Sequence, residues 1–422
     1  MRICIHRGAH QIGGSCVELE SQGQRILIDL GLPLDSEENT PELLPKVNGL
    51  READPSLLGV LVSHPHMDHY GLLAHIRPDL PVAMGAAGRR ILEAASPWMR
   101  NAVVPPAGPV LEDQKTFPWG PFQVTPFLMD HSAFDAYGFL IEADNQRVFY
   151  SGDFRAHGRT AWRFDRLTKQ PPKDIDVLLM EGTSLGRGGL ETQFQTEQEL
   201  EEEMMKAFQE TKGFALVCAS AQNIDRIVTL FRAAKRSGRA LLIDLYTACI
   251  LEATGHPHIP QSDWDDVQLF VPTKQRNQVI RKERFADLDR HKKNRIFPEH
   301  LAETAPRSVL LFRETHQADL EKHGALTGAR IFYSLWEGYL SRDSGQKLKG
   351  WAESHGIPLQ VLHTSGHASP ADLRRFVEAV GPRVLVPIHS SKPEGYADIF
   401  SRVEVHEDGN AWEVGEPTRY KI

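Results

Sequence analysis

Short apolar runs separated by turn residues dominate the first part of the chain. Three of them, at residues 3–5, 15–19 and 25–29, alternate with glycine-rich or polar stretches in the manner of a β-meander. A fourth run at 57–62 is apolar throughout and predicts a buried strand. The apolar side chains that follow recur at helical spacing, and they are Tyr70, Leu72, Leu73 and Ile76.

A second β-rich section follows a helix that the pattern predicts over residues 87–99. Its strands are predicted at residues 122–129, 138–142, 147–150 and 176–180. Three of these strands are followed by acidic or imidazole side chains, so the predicted strand ends carry polar groups that could form a site.

From about residue 193 strands and helices alternate, which is typical of a parallel α/β unit. Thr196 and Glu199 form a capping-box pattern that opens an amphipathic helix through Phe208. Strands are predicted at 214–218, 240–244, 309–312 and 329–333. A basic helix is predicted over 275–295, and its cationic face is either solvated or in contact with RNA.

The first pattern returns after about residue 350. A strand is predicted at 359–362 and another at 383–388. Between them, Ser369 and Asp372 form an N-terminal capping pattern for a helix through Val380. The changes of pattern near 193 and 350 are therefore candidate domain boundaries.

The composition is that of a soluble globular protein, with 25% charged and 41% hydrophobic residues. A length of 422 residues predicts two or three domains. No apolar run approaches the roughly 20 residues that a membrane span requires. The N-terminus lacks the apolar core of a secretory signal, so we expect a cytoplasmic protein with no membrane partner.

Cysteine usage and net charge add two constraints. Cys4, Cys16, Cys218 and Cys249 form no Cys-x-x-Cys pair, so we expect reduced, mostly buried thiols. The net charge of −8 gives no sign of a basic face for nucleic acid. A locally basic cleft is still compatible with this charge, because metal ions bring their own positive charge to a site.

Three imidazoles and a carboxylate follow the strand at 57–62, in the sequence Ser-His-Pro-His-Met-Asp-His over residues 63–69. This ligand set suits zinc or a similar divalent ion. His64 and His66 are two residues apart, so in extended backbone they point the same way and can bind one ion. Asp68 and His69 lie past the turn, which indicates a second ion. The competing interpretation is a polar loop whose histidines cap the next helix, and the ligand spacing favours the metal site.

Further polar side chains stand at the ends of other predicted strands. Taken alone, each is as consistent with a cap or a turn as with a ligand. Together with the His-x-His-x-Asp-His motif they complete a metal-binding set. They are Asp29, Asp130, His131, Asp153, Glu181, His367 and His389.

This ordered set resembles the ligand motifs of the metallo-β-lactamase superfamily. Glu181 after a strand, His367 in Ser-Gly-His-Ala-Ser and His389 in Pro-Ile-His-Ser resemble the three added motifs of its β-CASP nuclease group. That group includes ribonuclease J and the 3′-end cleavage endonucleases, and the similarity covers essentially the whole chain. The chain stops soon after the last motif, so we expect the additional C-terminal domain of bacterial ribonuclease J to be missing.

The resemblance implies an α/β protein, a metallo-β-lactamase-like αββα sandwich with an inserted β-CASP α/β domain. Residues 1–192 would be the first part of the sandwich, 193–350 the inserted domain and 351–422 the C-terminal completion. The nucleic-acid cleft is expected between the two domains, next to the metal pair.

The resemblance also implies the ligand set of a two-metal hydrolase. One ion should be held by His64, His66 and His131, the other by Asp68, His69 and His389, with Asp153 between them. Two divalent ions are expected, Zn²⁺ with Mn²⁺ as the alternative. A hydroxide between ions about 3.5 to 4 Å apart would attack phosphorus and leave a 5′-phosphate.

Other residues receive supporting roles from the same resemblance. His367 is the candidate general acid and Glu181 its carboxylate partner, and both join Asp68 in the expected catalytic set. Asp29 and Asp130 are expected to orient ligands without binding the ions themselves.

Five residues near turns or helix starts are candidates for binding substrate phosphate, since hydroxyls and backbone amides can do so there. Ordinary helix caps are an equal alternative. They are Ser220, Asn223, Arg226, Ser365 and Ser369. The family's RNA-cleaving members carry His at the last motif, where its DNA-repair members tend to have Val, so His389 favours RNA.

The first hypothesis is therefore a metal-dependent ribonuclease that acts on single-stranded RNA. A small-molecule hydrolase such as a lactonase or thioesterase is an alternative, although ester hydrolysis needs neither Glu181 nor His367. A non-catalytic RNA-binding subunit is a second alternative, although every expected ligand position is filled. The motifs do not distinguish an exonuclease from an endonuclease, or a monomer from a homodimer.

Overall fold

The computed structural model describes residues 1–36, 38–99, 102–186 and 189–415. They belong to two compact units. The first consists of Met1–Ser96, Arg100–Phe194 and Gly366–Ile422, and the second of Pro97–Met99 and Gln195–Ser365. The second unit runs past the boundary predicted at 350, because the strand Leu359–Val361 pairs with its sheet and not with the last section of the chain.

The strands are β1 Arg2–Arg7, β2 Cys16–Ser21, β3 Gln24–Ile28, β4 Leu57–Leu61, β5 Val82–Gly85, β6 Val110–Leu111, β7 Phe117–Trp119, β8 Phe122–Leu128, β9 Tyr137–Ala143, β10 Gln146–Tyr150, β11 Val177–Glu181, β12 Ala215–Cys218, β13 Ala240–Ile243, β14 Val267–Phe270, β15 Arg295–Ile296, β16 Ser308–Leu311, β17 Arg330–Tyr333, β18 Leu359–Val361, β19 Val384–Ile388 and β20 Ala411–Glu413.

The α-helices are α1 Met67–Tyr70, α2 Ala86–Ala95, α3 Trp162–Lys169, α4 Glu197–Glu210, α5 Ile224–Arg236, α6 Leu245–Ala253, α7 Thr273–Arg281, α8 Phe285–His291, α9 Leu301–Thr304, α10 Gln317–Lys322, α11 Asp343–Ser354 and α12 Pro370–Val380. Short 3-10 helices occur at Pro41–Leu43, Gly71–His75, Pro298–His300, Ala305–Arg307, Glu314–His316, Glu337–Ser341 and Pro393–Tyr396.

Two mixed sheets build the first unit, in the strand orders β20-β1-β2-β3-β4-β5-β6 and β19-β11-β10-β9-β8-β7. The first sheet is antiparallel as far as β3 and parallel from β3 to β6. In the second, β19, β11 and β10 are parallel and the remaining pairs are antiparallel. The carboxyl ends of β3 and β4 therefore share one edge of their sheet, and those of β8, β10, β11 and β19 share one edge of theirs.

The alternation of side chains along the strands explains the layers of this unit. In β3, Ile26 and Ile28 join a core shared by both sheets, while Leu27 faces the other way, into a core with Leu92 of α2. The outer face of the second sheet is covered by α3 and α12, whose Phe164 and Phe376 pack into a third core. The order helix, sheet, sheet, helix is the predicted αββα sandwich, so the predicted fold class is confirmed.

The second unit is a parallel α/β sheet with the strand order β15-β14-β13-β16-β12-β17-β18. Every residue of β12 is buried, as expected for a strand covered on both faces, which is why its sequence reads as an uninterrupted apolar run. The capping box at Thr196 and Glu199 opens α4 as predicted. Ser369 likewise caps α12 in the first unit, and that helix ends at Val380.

Three helix predictions need correction. The basic segment 275–295 is not a single helix but is divided among α7, α8 and β15. The helix is interrupted because Glu283 adopts a φ of 53°, which a right-handed helix cannot contain. The helix predicted at 87–99 ends at Ala95, since Pro97 has no N–H with which to continue it. The turn after Tyr70 is a 3-10 helix.

Ion pairs occupy much of the basic segment. Arg284 and Arg290 both bind Asp287, and Lys292 binds Asp289. Charges that are neutralised within the unit are less available to a polyanion, so the solvated-face interpretation is the better one for these three cations.

The described residues bear on the expectations of buried, reduced thiols and of a chain without a membrane span. All four cysteines are free and buried. Among the described residues, no helix has the length and apolar character needed to cross a membrane.

A buried ion pair ties together the helices and strand ends of the second unit. The Arg226 guanidinium, fully buried on α5, binds both carboxylate oxygens of Glu197 at 3.0 and 3.2 Å. It also donates to the carbonyl oxygens of Ser334 at 3.0 Å and Thr364 at 3.2 Å. Thr229 donates a further hydrogen bond to Glu197 at 2.6 Å. The pair therefore holds the start of α4, helix α5 and the segments after β17 and β18.

Arg226→Met should destabilise the chain by about 3 to 5 kcal/mol, because it leaves the Glu197 carboxylate buried without a counter-charge. Urea unfolding of the full chain, followed by circular dichroism, measures the change. Lys235→Met is the matched control, since Lys235 lies on the same helix and pairs with Asp266, and the two side chains are 61% and 44% exposed. It should cost no more than about 1 kcal/mol. Equal losses in the two variants would contradict the role given to Arg226.

Candidate metal centre

The polar residues expected at strand ends meet at one site in the first unit. Asp29 follows β3, the segment Ser63–His69 follows β4, His131 follows β8 and Asp153 follows β10. In the second sheet, Glu181 ends β11 and pairs in register with Ile388 of β19, so His389 comes next to it. The strand ends of both sheets thus bring these residues to the same place, and His367 joins them from the segment before α12.

The first group contains three imidazoles. His64, His66 and His131 each offer a ring nitrogen, and these nitrogens lie within 4.8 Å of one another. His131 Nε2 is 3.3 Å from His66 Nδ1. Two ligands of a tetrahedral ion with bonds of about 2.0 Å are separated by about 3.3 Å, so the spacing fits a shared ion.

The second group contains Asp68, His69 and His389, whose ligand atoms also lie within 4.8 Å of one another. His389 Nε2 is 3.5 Å from Asp68 Oδ2. The backbone of His389 has a φ of 49°, and its N–H donates to Gly8 O at 2.7 Å. A non-glycine residue in the left-handed region is typical of a position whose side chain must be aimed.

Asp153 lies between the two groups. Its Oδ2 is 3.2 Å from His69 Nε2 and 3.7 Å from His64 Nε2, and its Oδ1 is 2.9 Å from His389 Nδ1. The side chain is 2% exposed. A buried carboxylate in this position can contribute negative charge to both groups.

Three imidazole nitrogens test whether these residues fit a metal. They are buried and make no hydrogen bond within the part of the chain that the structure describes, and they are His64 Nε2, His69 Nε2 and His389 Nε2. Leaving a buried polar atom unsatisfied costs about 1 to 3 kcal/mol. Each of these rings binds a protein oxygen through Nδ1, the usual arrangement of histidine ligands. The donor set therefore fits one or two divalent ions.

Asp29 orients the His69 ring and the adjoining Ser63 through hydrogen bonds. Its two carboxylate oxygens, fully buried, accept from Ser63 N at 2.7 Å, Ser63 Oγ at 2.8 Å and His69 Nδ1 at 2.8 Å. Tyr150 donates a further hydrogen bond from its hydroxyl at 2.7 Å. With its Nδ1 proton held by Asp29, His69 presents Nε2 to the centre. Tyr150 was not found from the sequence, because it reads as an ordinary apolar strand residue.

Asp130 has a corresponding role for the segment after Asp153. It accepts from Gly158 N at 2.8 Å and Thr160 Oγ1 at 2.9 Å, and its own carbonyl accepts from Arg155 N at 2.7 Å. Because His131 follows directly, one aspartate links the position of that ring to the loop that leaves Asp153.

A close backbone approach holds the His-x-His-x-Asp-His motif against the loop after β3. Leu30 N donates to His69 O at 2.8 Å and Leu32 N to Met67 O at 2.9 Å. A Cβ atom on Gly31 would lie 1.7 Å from Asp68 O. Only glycine permits this contact, so Gly31 contributes to the site through its lack of a side chain.

A carboxylate and an imidazole adjoin the two groups. Glu181 is 1% exposed and accepts from Phe154 N at 3.0 Å and Thr183 N at 3.2 Å. Both of its oxygens face His367 Nδ1, at 3.1 and 3.2 Å. His367 Nδ1 is also 3.6 Å from Asp153 Oδ2, and its side chain is 22% exposed. The pair is therefore rigid at its carboxylate and accessible at its ring.

The pKa values divide the imidazoles into two kinds. Burial, with the neighbouring rings, holds the pKa of His64 and of His131 well below the usual value, and burial lowers the pKa of His66 to about 4. These rings are neutral at physiological pH, the state in which imidazole binds a metal.

The other imidazoles are controlled by carboxylates. Burial opposes the charge on His69, yet Asp153 and Asp29 raise its pKa well above the usual value. Burial likewise opposes the charge on His367, but the carboxylates of Glu181 and Asp153 raise its pKa to about 9. Burial also opposes ionisation of Asp153, and His389 and His69 overcome it, so its pKa lies well below the usual range.

The five residues predicted to bind phosphate have different surroundings. Asn223 caps α5 by accepting from Arg226 N at 3.0 Å, and Ser369 caps α12, so for these two the alternative of ordinary caps is observed. The role predicted for Arg226 is corrected, because Glu197, Ser334 and Thr364 already occupy its buried guanidinium. Ser220 is exposed and Ser365 is half-buried, both in the second unit.

The sequence of the first unit matches a known family. A family model described as a beta-lactamase superfamily domain matches residues 24–218, which include the motif at 63–69 and the residues His131, Asp153 and Glu181. This part of the chain is therefore similar to the beta-lactamase superfamily, the resemblance that its motifs predicted. This fold family implies a divalent metal, and the clusters described above are the candidates to bind it.

Curated relatives named Ribonuclease J extend the similarity over most of the chain. The one from Mycoplasma pneumoniae is 23% identical over 421 residues, which cover 92% of this chain and 67% of the relative. The one from Sinorhizobium meliloti is 22% identical over 388 residues, which cover 87% of this chain and 64% of the relative. The resemblance to the β-CASP nuclease group, which includes ribonuclease J, is confirmed by these matches.

A solved structure supports the fold independently. It is described as a protein of unknown function from Enterococcus faecalis V583, and it is similar with a TM-score of 0.75 at 18% sequence identity. The match covers 97% of this chain and 99% of that one. At this level of identity the similarity shows a shared fold.

Asp29→Asn should weaken metal binding by about 10 to 100-fold, because the amide cannot accept from Ser63, His69 and Tyr150 together and His69 loses its orientation. Competition with a chromophoric chelator measures the affinity. Asp144→Asn is the matched control: Asp144 also has a positive φ, 53° against 60° for Asp29, and also accepts side-chain hydrogen bonds, but it lies in the turn after β9. Unchanged affinity in Asp29→Asn would contradict the orienting role.

Proposed function

We propose that the chain is a metal-dependent ribonuclease that cleaves single-stranded RNA and leaves a 5′-phosphate. The observation that carries the proposal is the Glu181–His367 pair beside the candidate metal centre. Hydrolysis of an activated ester requires no such acid, whereas the 3′ alkoxide that leaves a phosphodiester must receive a proton. The similarity to proteins named Ribonuclease J supports the same substrate class.

We assign the metal ligands in two sets. One ion would be held by His64, His66 and His131, the other by Asp68, His69 and His389, with Asp153 between them. Zn²⁺ is the proposed ion and Mn²⁺ its alternative, because imidazole and carboxylate mixtures accept both. When bound, such ions lower the pKa of water and neutralise the charge that builds on a phosphoryl group.

The residues of the chain supply the remaining steps. His367, with its pKa raised to about 9, carries a proton at neutral pH and donates it to the departing 3′ oxygen. Glu181 holds the ring and stabilises its charged form before transfer, and its own hydrogen bonds from Phe154 N and Thr183 N keep it in place. Asp29 and Asp130 orient the ligands. Ser220 and Ser365 are proposed to contact substrate phosphates.

Asp68→Ala and His367→Ala should each reduce cleavage of an end-labelled single-stranded RNA by at least about 100-fold, since one removes a ligand and the other the acid. Gel separation of the products over time measures the rate and shows whether a 5′-phosphate is left. His367→Ala should keep the metal content of the wild type, and Asp68→Ala should lose metal. Cleavage at the wild-type rate in both variants would rule out the proposed site.

Rival functions give different results in the same assays. A small-molecule hydrolase would turn over a lactone or thioester and leave the RNA intact. A non-catalytic RNA-binding subunit would bind the RNA, cleave neither substrate and hold no tightly bound metal.

The pH profile of kcat/KM should fall as the pH rises through the pKa of His367, because the deprotonated ring can no longer act as an acid. Bound cations would move this limb below 9, since they repel the imidazolium. Glu181→Gln should move it to still lower pH, because the carboxylate is what raises the pKa. Glu191→Gln is the control, since Glu191 is exposed and pairs with Arg374. A limb that stays in place in Glu181→Gln would disprove the pairing.

A further inference from the structure

An exposed tryptophan stands at the beginning of α3. Trp162 is 56% exposed. The other tryptophans described in the first unit, Trp119 and Trp412, pack against the core between the two sheets. An indole offers a broad aromatic face for stacking and is enriched at interfaces, so an exposed one is a candidate contact for a ligand.

Two guanidinium groups accompany the indole. The Cζ atom of Arg163 lies 5.6 Å from the centre of the Trp162 ring and that of Arg166 lies 5.5 Å away. Trp162 and Arg166 are four residues apart on α3 and therefore share a helix face. The two arginines leave more than half of the indole surface exposed, so an additional planar group can still stack on it.

The loop that precedes α3 connects this helix to the candidate metal centre. It leaves the centre at Asp153 and is fixed by Thr160, which donates to Asp130 beside the ligand His131. Arg163 donates to the carbonyl oxygen of Met129 in the same strand-end segment. Trp162 follows Thr160 by two residues, so the two Cα atoms are at most about 7 Å apart. The backbone of Trp162 is thus held close to the segment that carries His131.

The charge of this region differs from that of the whole chain. Residues 154–169 contain five basic and one acidic side chain, whereas the chain has a net charge of −8. One of the five, Arg155, is buried, and Arg166 is paired with Asp113 at 2.8 Å. The others, Arg159, Arg163 and Lys169, have at least part of their surface exposed. An exposed aromatic ring among surface cations is the combination that binds single-stranded nucleic acid, by stacking on a base and neutralising phosphates.

We propose that Trp162, with Arg163 beside it, forms a base-stacking subsite for a nucleotide of the single-stranded RNA that flanks the scissile phosphate. The proposal rests on the proposed ribonuclease function and extends it. Stacking accepts any base, because each has a π face, so the subsite increases affinity for the strand without selecting its sequence. Trp162 contacts a part of the strand that does not react, and it is not a catalytic residue.

The test compares variants of the full chain on two substrates. Trp162→Leu removes the aromatic face and keeps apolar volume, whereas Trp162→Phe keeps a smaller aromatic face. For a short single-stranded RNA, kcat/KM should fall about tenfold in Trp162→Leu and about twofold in Trp162→Phe. Turnover of bis(p-nitrophenyl) phosphate, which has no flanking nucleotide, should be the same in all three proteins.

Binding provides the second readout. In the Asp68→Ala background, fluorescence anisotropy of a labelled RNA should show the highest affinity with Trp at position 162, a lower affinity with Phe and the lowest with Leu. Quenching of tryptophan fluorescence by RNA should be weaker in Trp162→Phe than in the wild type. Lys115→Gln is the control for surface variation, since Lys115 is an exposed cation of the same unit that pairs with Glu112. It should leave all of these values unchanged.

The outcomes separate this subsite from the proposed function. Equal RNA affinity and equal kcat/KM in the wild type and Trp162→Leu would overturn the subsite. RNA cleavage by the wild type would still support the ribonuclease function in that case. A parallel loss of bis(p-nitrophenyl) phosphate turnover in Trp162→Leu would also overturn it, since the effect would then be structural. RNA cleavage that persists in Asp68→Ala would overturn the proposed centre, and the ordered affinities would still support stacking.

Discussion

The whole site depends on one buried carboxylate. Asp153 has His69, His64 and His389 around its two oxygens and His367 at 3.6 Å, and it is almost inaccessible to water. Bringing so many imidazoles into one dry place is unfavourable unless a negative charge stands among them. The carboxylate also affects which rings hold protons, because it helps to raise the pKa values of His69 and His367 against burial, whereas burial keeps those of His64, His66 and His131 below the usual value.

Hydrogen bonds to Asp29 and Asp130 fix the geometry of this electrostatic arrangement. Asp29 is bound by Ser63, His69 and Tyr150, and Asp130 is bound by Gly158 and Thr160. Each of these aspartates connects chain segments that end different strands. The rings can therefore be oriented without support from solvent, and each of His64, His69 and His389 leaves its Nε2 available to an ion.

Much of this architecture was predictable from the sequence because it is encoded locally. The His-x-His-x-Asp-His motif and the polar residues at strand ends stand out against apolar runs, and the caps at Thr196 and Ser369 follow simple rules. Contacts made by tertiary packing were not predictable. Nothing near Tyr150 indicates that it binds Asp29, and nothing near Arg226 indicates that Glu197 already occupies its charge. The break at Glu283 was hidden by a helical pattern that continues across it.

The order in which the ligands occur along the chain has a consequence for biosynthesis. The residues from Asp29 to Glu181 are made first, then all of Gln195–Ser365, and His367 and His389 emerge only afterwards. Because β19 must also pair with β11 to deliver His389, the second set of ligands cannot assemble on a nascent chain that lacks its last section. His367 arrives equally late. The candidate metal centre is thus incomplete until nearly all of the described chain has been synthesised.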